Sequence, residues 1–393
     1  MSRILSVLIW FLNFDLGLGN GIRNQLVRDF AAKDNASASA TLSSGFLSTG
    51  IVTLILLVVG VLILRFSDLN KLFNVNPTLL SERTLFVSSI AIFVAIMLRF
   101  FLTTISSIFY ALQKSAVNNF LSLCVSILQL LYVITFHYNN VEEALINLAI
   151  SYIFLSNLPV FIAGIYVFLH ELKDCRPRIR AITKERIEGI LSIGVMFFLC
   201  QILYMCIANT NEFLITKLFN ATFTAEYSFY YKIMSILSII VTLTFTPVWS
   251  VVTKAVAEKD FRWLSRLYNK IKLIGIVVVV AQFLLIPFMQ IILDLWLGEG
   301  MVNVDVWTSI AFACFAGCIA YSGMLSTVTN GMARMKVQSI CFVIGVVVKF
   351  AIDFGLYNVF NHWSLVVWSN VAAFLPYIIV QQIDLSRFFK NRI

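Results

Sequence analysis

The sequence is poor in charged residues, and this shortage limits what the chain can be. Only 12% of its 393 residues are charged and 60% are hydrophobic, whereas soluble domains have roughly 25% and 45–50%. The mean hydropathy is +0.90. So few charges cannot cover the surface of a water-soluble protein of this size. We therefore exclude a soluble fold and, with it, a soluble catalytic domain.

The residues that metal binding and catalysis require are also scarce. The three histidines, at positions 137, 170 and 362, are scattered over predicted helix ends. The seven cysteines form no C-x-x-C pair, and Cys314 and Cys318 lie in an apolar stretch where packing explains them. The sequence therefore predicts no catalytic residue, no metal and no cofactor, and it indicates a protein that is not an enzyme.

Long apolar runs, by contrast, are abundant. About eleven of them approach or exceed the ~20 residues that cross a bilayer, and none shows the alternation of a barrel strand. The sequence predicts an all-α, polytopic membrane helix bundle of about 11 transmembrane helices in two lobes around a central cavity. The runs are Ile4–Leu18, Gly45–Leu64, Leu85–Ile105, Val117–His137, Ala144–Leu169, Gly189–Ala208, Thr224–Ser250, Leu273–Leu297, Val304–Val328, Val337–Leu356 and Trp363–Ile383.

Basic residues are concentrated in alternate loops, which predicts the orientation of the chain. Such loops face the cytoplasm in multi-pass proteins. The net charge of +9 is explained in the same way, by contact with anionic membrane lipid, so we expect no binding of nucleic acid. The loops that hold 21 of the 29 lysines and arginines are residues 20–43, 106–116, 170–188, 251–272, 329–336 and 384–393.

One of these basic loops divides the spans into two groups. The sequence predicts an N-terminal lobe of about five helices over residues 1–170 and a C-terminal lobe of about six helices over residues 189–393. The intervening residues 171–188 are the predicted cytoplasmic linker.

Basic residues also lie inside the predicted spans, where an isolated charge costs ~3 kcal/mol or more. Lys232 shares a helical sector with Tyr231 and several hydroxyl side chains, so we expect it to face a water-filled cavity. Arg99 is either an inward anion-binding group or the donor of a structural hydrogen bond to a neighbouring helix. Gln201 and Gln290 are further polar residues that are predicted to line the same space.

Five other ionisable residues, Asp15, Arg23, Glu226, Lys349 and Asp353, are candidates for gating or ion coupling. Lys349 and Asp353 are four residues apart on one helix and are predicted to neutralise each other, with a proton- or cation-linked switch as the alternative. Asp15 is expected to pair with Arg23 or a neighbouring helix at the cytoplasmic mouth. Glu226 lies near the outer end of its span and is expected to be an interface charge.

Several stretches of the chain share the motifs of one family. The most specific reads F-D-L-G-L-G-N-G-I-R-N over Phe14–Asn24 and precedes a short basic loop. Further similarity appears over residues 111–115, 209–215, 225–232 and 330–334. In these stretches the chain resembles the bacterial polysaccharide-export flippases, the O-antigen flippase branch of the multidrug/oligosaccharidyl-lipid/polysaccharide (MOP) superfamily. Members usually carry another helix before the first motif, so the resemblance implies that a first helix is missing here.

The resemblance implies a two-lobed transporter of twelve to fourteen helices in the bacterial inner membrane. Its expected cargo is an undecaprenyl-pyrophosphate-linked oligosaccharide, the O-antigen repeat unit of lipopolysaccharide, which it would move between leaflets by alternating access. Arg99 and Lys232 would attract the diphosphate, and Asp353 or Glu226 would titrate with a coupling ion. The expected partners are this lipid-linked substrate, membrane lipid and other membrane proteins of polysaccharide assembly. The sugars would contact Tyr231, Gln201 and Gln290.

Two other classes of membrane protein remain open. A cation-coupled multidrug antiporter of the same superfamily would need an acidic lumen, whereas Arg99, Lys232 and Lys349 lie deeper in their spans than the acidic residues do. A membrane glycan polymerase or ligase would need a long outer loop, and no predicted outer loop exceeds about twenty residues.

Overall fold

The computed structural model describes residues 17–73, 80–138 and 140–392, and most of these residues are helical. Within these ranges, ten helical segments are long and apolar enough to cross a membrane, and each corresponds to one of the predicted runs after the first. The first run, Ile4–Leu18, lies almost entirely outside the described residues. The expected all-α membrane bundle is therefore confirmed, with ten candidate spans in the described part of the chain.

Fourteen α-helices follow one another along the described ranges. Two short 3-10 helices, Ile179–Ala181 and Ile286–Phe288, precede α7 and α11 respectively. The helices are α1 (Leu18–Ala31), α2 (Asn35–Phe66), α3 (Leu69–Phe73), α4 (Glu82–Ala111), α5 (Ser115–Thr135), α6 (Val141–His170), α7 (Lys184–Ala208), α8 (Asn211–Leu218), α9 (Ala221–Ala257), α10 (Phe261–Leu285), α11 (Met289–Leu297), α12 (Val306–Gly331), α13 (Lys336–Phe360) and α14 (Leu365–Lys390).

Polar residues at the helix starts define where several spans begin. Asp34, Asn140, Asp260 and Asp305 each accept a hydrogen bond from a backbone N–H group in the first turn of the helix that follows. The Ser37 N–H donates to Asp34 Oδ1 over 2.9 Å, and this hydrogen bond keeps the pKa of the exposed Asp34 carboxyl below its ordinary value. Pro159, Pro247 and Pro376 lie inside three of the spans, and each removes one backbone hydrogen bond from its helix.

Contacts divide the chain into two compact units, Met1–Phe198 and Leu199–Ile393, and the division falls within α7. In the first unit, α4 packs against α1, α2 and α6. In the second unit, α12 packs against α9, α10 and α14, and α13 packs against α14. The predicted basic linker, residues 171–188, lies in the first unit.

Loops that are predicted to share one side of the membrane come together within each unit. In the first unit, Arg186 Nη1 lies 3.0 Å from Asp29 Oδ1, which joins the first and third basic loops. In the second unit, Arg334 Nη2 lies 3.4 Å from Asp384 Oδ1, which joins the last two basic loops. These ion pairs agree with the predicted alternation of the loops.

Gly345 of α13 lies where α13 and α14 approach each other closely. A Cβ atom built at this position would be 2.4 Å from the carbonyl oxygen of Ala373 in the backbone of α14. We expect Gly345→Ala to lower the free energy of unfolding by about 1–3 kcal/mol, because the added methyl group must displace a helix backbone. The measurement is thermal unfolding of the purified protein in detergent.

Gly355 on the same helix is the matched control for this experiment. Among the described residues, no atom outside the local backbone of α13 lies within 4 Å of a Cβ atom built there. Gly355→Ala should leave the Tm unchanged or raise it slightly, because alanine is favoured over glycine in a helix. An equal loss of stability in the two variants would contradict the close approach of α13 and α14.

Candidate functional site

An enclosed polar cluster surrounds Lys349 in the second unit. The side chains of Lys349 and Asp353 are both 0% exposed, and Lys349 Nζ lies 3.4 Å from Asp353 Oδ2. The same Nζ donates to Asn211 Oδ1 over 2.7 Å and to Asn370 Oδ1 over 2.8 Å. The structure thus contains the ion pair that the four-residue spacing predicts, together with two amide oxygens that stabilise the ammonium group.

The two asparagines are held in place by further hydrogen bonds. Asn370 Nδ2 donates to Asn211 Oδ1 over 2.8 Å and to the Val366 carbonyl oxygen over 3.0 Å. Asn211 Nδ2 donates to the Tyr227 hydroxyl oxygen over 2.9 Å and to the Ala208 carbonyl oxygen over 3.0 Å. The cluster therefore links four helices, α8, α9, α13 and α14. A buried network of this kind fixes how the helices pack.

Arg99 occupies a more open position in the first unit. It lines a cavity of about 250 Å³ between α4, α5 and α6. Its Nη1 donates to the Ser156 carbonyl oxygen over 3.3 Å, and Gln129 Nε2 donates to Ser156 Oγ over 3.1 Å. The guanidinium group thus makes an interhelical hydrogen bond and also borders a partly polar space. The other lining residues are Ile96, Ser122, Val125, Ser126 and Tyr152.

Lys232 lies on an exposed face of α9 in the second unit. Its Nζ is 5.6 Å from the ring centroid of Trp296 in α11, a distance at which a cation is attracted to an aromatic ring. The neighbouring Tyr231 is half-buried and stacks on Tyr227, with ring centroids 5.7 Å apart and an interplanar angle of 11°. A cationic group and an aromatic group therefore lie next to each other on this helix.

Gln290 is already engaged within the protein. Its Nε2 donates to Asp294 Oδ1 over 2.8 Å and to the Val302 carbonyl oxygen over 3.1 Å. Its Oε1 accepts a hydrogen bond from the Val304 N–H over 2.9 Å. The amide nitrogen and the amide oxygen of Gln290 thus both connect α11 to the segment before α12. The sequence did not predict these contacts.

The remaining predicted residues are dispersed. Arg23 is buried in the first unit, where its Cζ lies 4.6 Å from the Tyr110 ring centroid. Its predicted partner Asp15 lies outside the described residues. Gln201 and Glu226 are half-buried on α7 and α9. Within the second unit, the structure thus brings Lys349 together with Asp353, and it places Tyr231 next to Lys232.

The comparisons with known proteins agree with the architecture described above. The family model "Polysaccharide biosynthesis protein" matches residues 10–251, which is more than half of the chain. No curated protein matches the chain significantly. Among solved structures, the Vibrio cholerae MATE transporter VcmN in its bent form is similar with a TM-score of 0.80 at 12% identity, over 100% of this chain and 88% of that chain.

Two further solved structures show the same likeness. A multidrug resistance MATE family transporter in an outward-facing conformation has a TM-score of 0.75 at 14% identity, over 100% of this chain and 89% of that chain. A MOP superfamily transporter from Pyrococcus furiosus has a TM-score of 0.74 at 13% identity, over 98% of this chain and 88% of that chain. The bundle of spans and these likenesses define a multi-pass membrane protein with the fold of the MOP superfamily transporters.

The family model gives a more specific assignment than the fold does. The chain belongs to the family that this model describes, the polysaccharide biosynthesis proteins. The resemblance inferred from the sequence motifs is thereby confirmed.

The Lys349 cluster generates a prediction about stability. We expect Lys349→Met to lower the free energy of unfolding by ~3–5 kcal/mol, because Asp353 would be left buried without its cation. The double variant Lys349→Met/Asp353→Leu should recover most of this loss, since neither charge remains in the cluster. Thermal unfolding in detergent measures both. A double variant as unstable as the single one would show that the uncompensated carboxylate is not the cause.

Proposed function

We propose that this protein is a flippase that moves a lipid-linked oligosaccharide from the inner to the outer leaflet of the bacterial cytoplasmic membrane. The observation that carries the proposal is that a chain of the polysaccharide biosynthesis family has a transporter fold. In this proposal the cargo is an oligosaccharide on undecaprenyl pyrophosphate, of the kind used as an O-antigen repeat unit in lipopolysaccharide. It is transported by alternating access, and no covalent bond is made or broken.

A flippase for this cargo must provide a polar route through the membrane. Sugars and a diphosphate lose too much hydration free energy to enter hydrocarbon unaided, so the route has to contain water and cationic groups. The acyl chain of the carrier needs no such route and can stay in the lipid. Basic residues inside the spans are therefore the main candidates for contact with the diphosphate.

Arg99 is the strongest candidate for such a contact. A guanidinium group carries five N–H donors in a fork that matches phosphate oxygens, and the hydrogen bond to Ser156 is made by Nη1. The cavity that Arg99 lines also contains the hydroxyl groups of Ser122 and Ser126 and the amide of Gln129. The two serine hydroxyls donate to carbonyl oxygens of α5 over 3.0 and 3.1 Å, so their oxygens are left to accept hydrogen bonds from sugar hydroxyl groups. None of these neutral groups cancels the charge of Arg99.

Lys232 is the second cationic candidate in our proposal. It is exposed on α9, beside the rings of Tyr231 and Trp296. Aromatic rings present apolar faces on which sugar rings can pack, while the tyrosine hydroxyl supplies a polar group. We propose that Tyr231 and Gln201 contact the oligosaccharide. Gln290 supports this role less well, because its amide is bound to α11 and the following segment.

Ion coupling is proposed to involve Glu226 or Asp353. Glu226 is half-buried on α9 and is the more accessible of the two carboxyl groups. Asp353 is enclosed with Lys349 in the cluster that joins four helices. A change in the charge of Asp353 would therefore require these helices to open or shift, which is how an ion could be linked to a conformational change.

The proposal predicts the effect of removing the two cationic candidates. In a flippase-deficient bacterial strain, Arg99→Ala and Lys232→Ala should each restore surface polysaccharide roughly tenfold less well than the unchanged protein, because a charge-assisted contact with the diphosphate is lost. Arg99→Lys should be intermediate, since it keeps the charge and loses the fork. Surface polysaccharide is quantified by gel electrophoresis after staining.

Lys71→Ala is the matched control, because the Lys71 side chain is 88% exposed outside the candidate spans. It should restore polysaccharide fully, and immunoblots must show equal amounts of all variants in the membrane. Full activity of the Arg99 and Lys232 variants would refute the cationic route. Drug resistance conferred by the protein with no effect on polysaccharide would favour the cation-coupled antiporter instead.

A further inference from the structure

Three arginines converge on a cavity in the second unit. The cavity has a volume of about 360 Å³ and is lined by Arg334, Asp384, Arg387, Phe388, Asn391 and Arg392. Arg334 follows α12, whereas the other lining residues belong to the last turns of α14 or follow directly after it. None of the residues proposed above for transport lines this cavity.

The lining of the cavity is positively charged. Asp384 is its one carboxylate, and it lies 3.4 Å from Arg334 Nη2. Arg387 and Arg392 are therefore not balanced by a further acidic residue of the lining. Like charges that are held close together repel one another, and a bound anion would relieve this repulsion.

The ring of Phe388 holds two of the guanidinium groups in position. Arg334 Cζ lies 4.4 Å from the ring centroid, and Arg392 Cζ lies 4.7 Å from the same centroid. Arg392 Cζ also lies 4.8 Å from the ring centroid of Phe261 at the start of α10. A guanidinium group that faces a ring keeps its N–H donors at its edges, where they can reach a ligand.

The electrostatics of a helix end explain only part of this arrangement. Arg387 lies in the last turn of α14, where the negative end of the helix dipole attracts cations. Arg334 comes from a different segment of the chain, so the dipole of α14 does not account for its presence. Forked donors that converge from two segments, beside a supporting aromatic ring, form an arrangement suited to phosphate oxygens.

We propose that this cavity binds a phosphate group, with Arg334, Arg387 and Arg392 as the donors and Phe388 as their support. The basic loops that form it are predicted to face the cytoplasm, so two sources of phosphate are available. One is the headgroup of an anionic phospholipid, and the other is a diphosphate that approaches from the water. The proposal does not depend on the transport activity proposed above.

The test uses the full chain in detergent and two probes. Native mass spectrometry counts phosphatidylglycerol molecules that the protein retains, with phosphatidylcholine as the uncharged comparison, and calorimetry measures binding of inorganic pyrophosphate. We expect at least one anionic probe to bind, and we expect Arg387→Gln to weaken that binding roughly tenfold because one charged donor is lost. Retention of phosphatidylglycerol alone identifies the lipid source, and binding of pyrophosphate alone identifies the soluble source.

Two further variants separate a site from general attraction to a basic surface. Arg266→Gln removes the same charge from an exposed position on α10 outside the cavity, so it should leave binding unchanged. Asp384→Asn removes the carboxylate that competes for Arg334, so it should strengthen binding, a gain that misfolding cannot produce. Absence of binding by both probes, or an equal loss in the Arg387 and Arg266 variants, would overturn the proposal.

Discussion

A charge that enters hydrocarbon must be compensated. The three basic residues inside the predicted apolar runs meet this requirement in different ways. Lys349 is fully enclosed and has both a carboxylate and two amide oxygens as partners. Arg99 has one carbonyl partner and borders a cavity. Lys232 lies beside the ring of Trp296. Complete compensation suits a group that holds helices together, and in our proposal the incomplete compensation of Arg99 and Lys232 leaves them able to bind an anionic cargo.

The positions of the spans could be predicted from the sequence because hydrocarbon imposes both their length and their composition. Their ends were harder to predict. The run Thr224–Ser250 marks only the apolar part of α9, which extends over Ala221–Ala257 and begins after a cap at Asn220. Caps and the last helical turns contain polar residues, so hydropathy does not distinguish them from a loop.

In the candidate site, too, contacts between residues close in sequence could be predicted, whereas contacts between residues far apart in sequence could not. The pairing of Lys349 with Asp353 follows from helical spacing alone. The contact between Lys349 and Asn211 joins residues 138 positions apart, and it depends on how four helices pack. Asn211 does lie in one of the family-like stretches, which was the available signal. Gln290 was predicted to line a lumen because it is a polar residue in an apolar run, but its amide bonds to Asp294 of the same helix and to the following segment.

The fold by itself does not decide the cargo, because transporters of one superfamily share an architecture and differ in their sites. We propose that the charged residues inside the spans determine which cargo is transported. The most direct measurement compares two cargoes in vesicles that contain the purified protein: a fluorescent oligosaccharide on undecaprenyl pyrophosphate and the same oligosaccharide on an uncharged lipid. We predict that the protein moves the diphosphate-linked cargo between leaflets much faster than this cargo crosses protein-free vesicles. The protein should also move it faster than the uncharged cargo. Equal rates for the two cargoes, or no movement of the diphosphate-linked one, would contradict it.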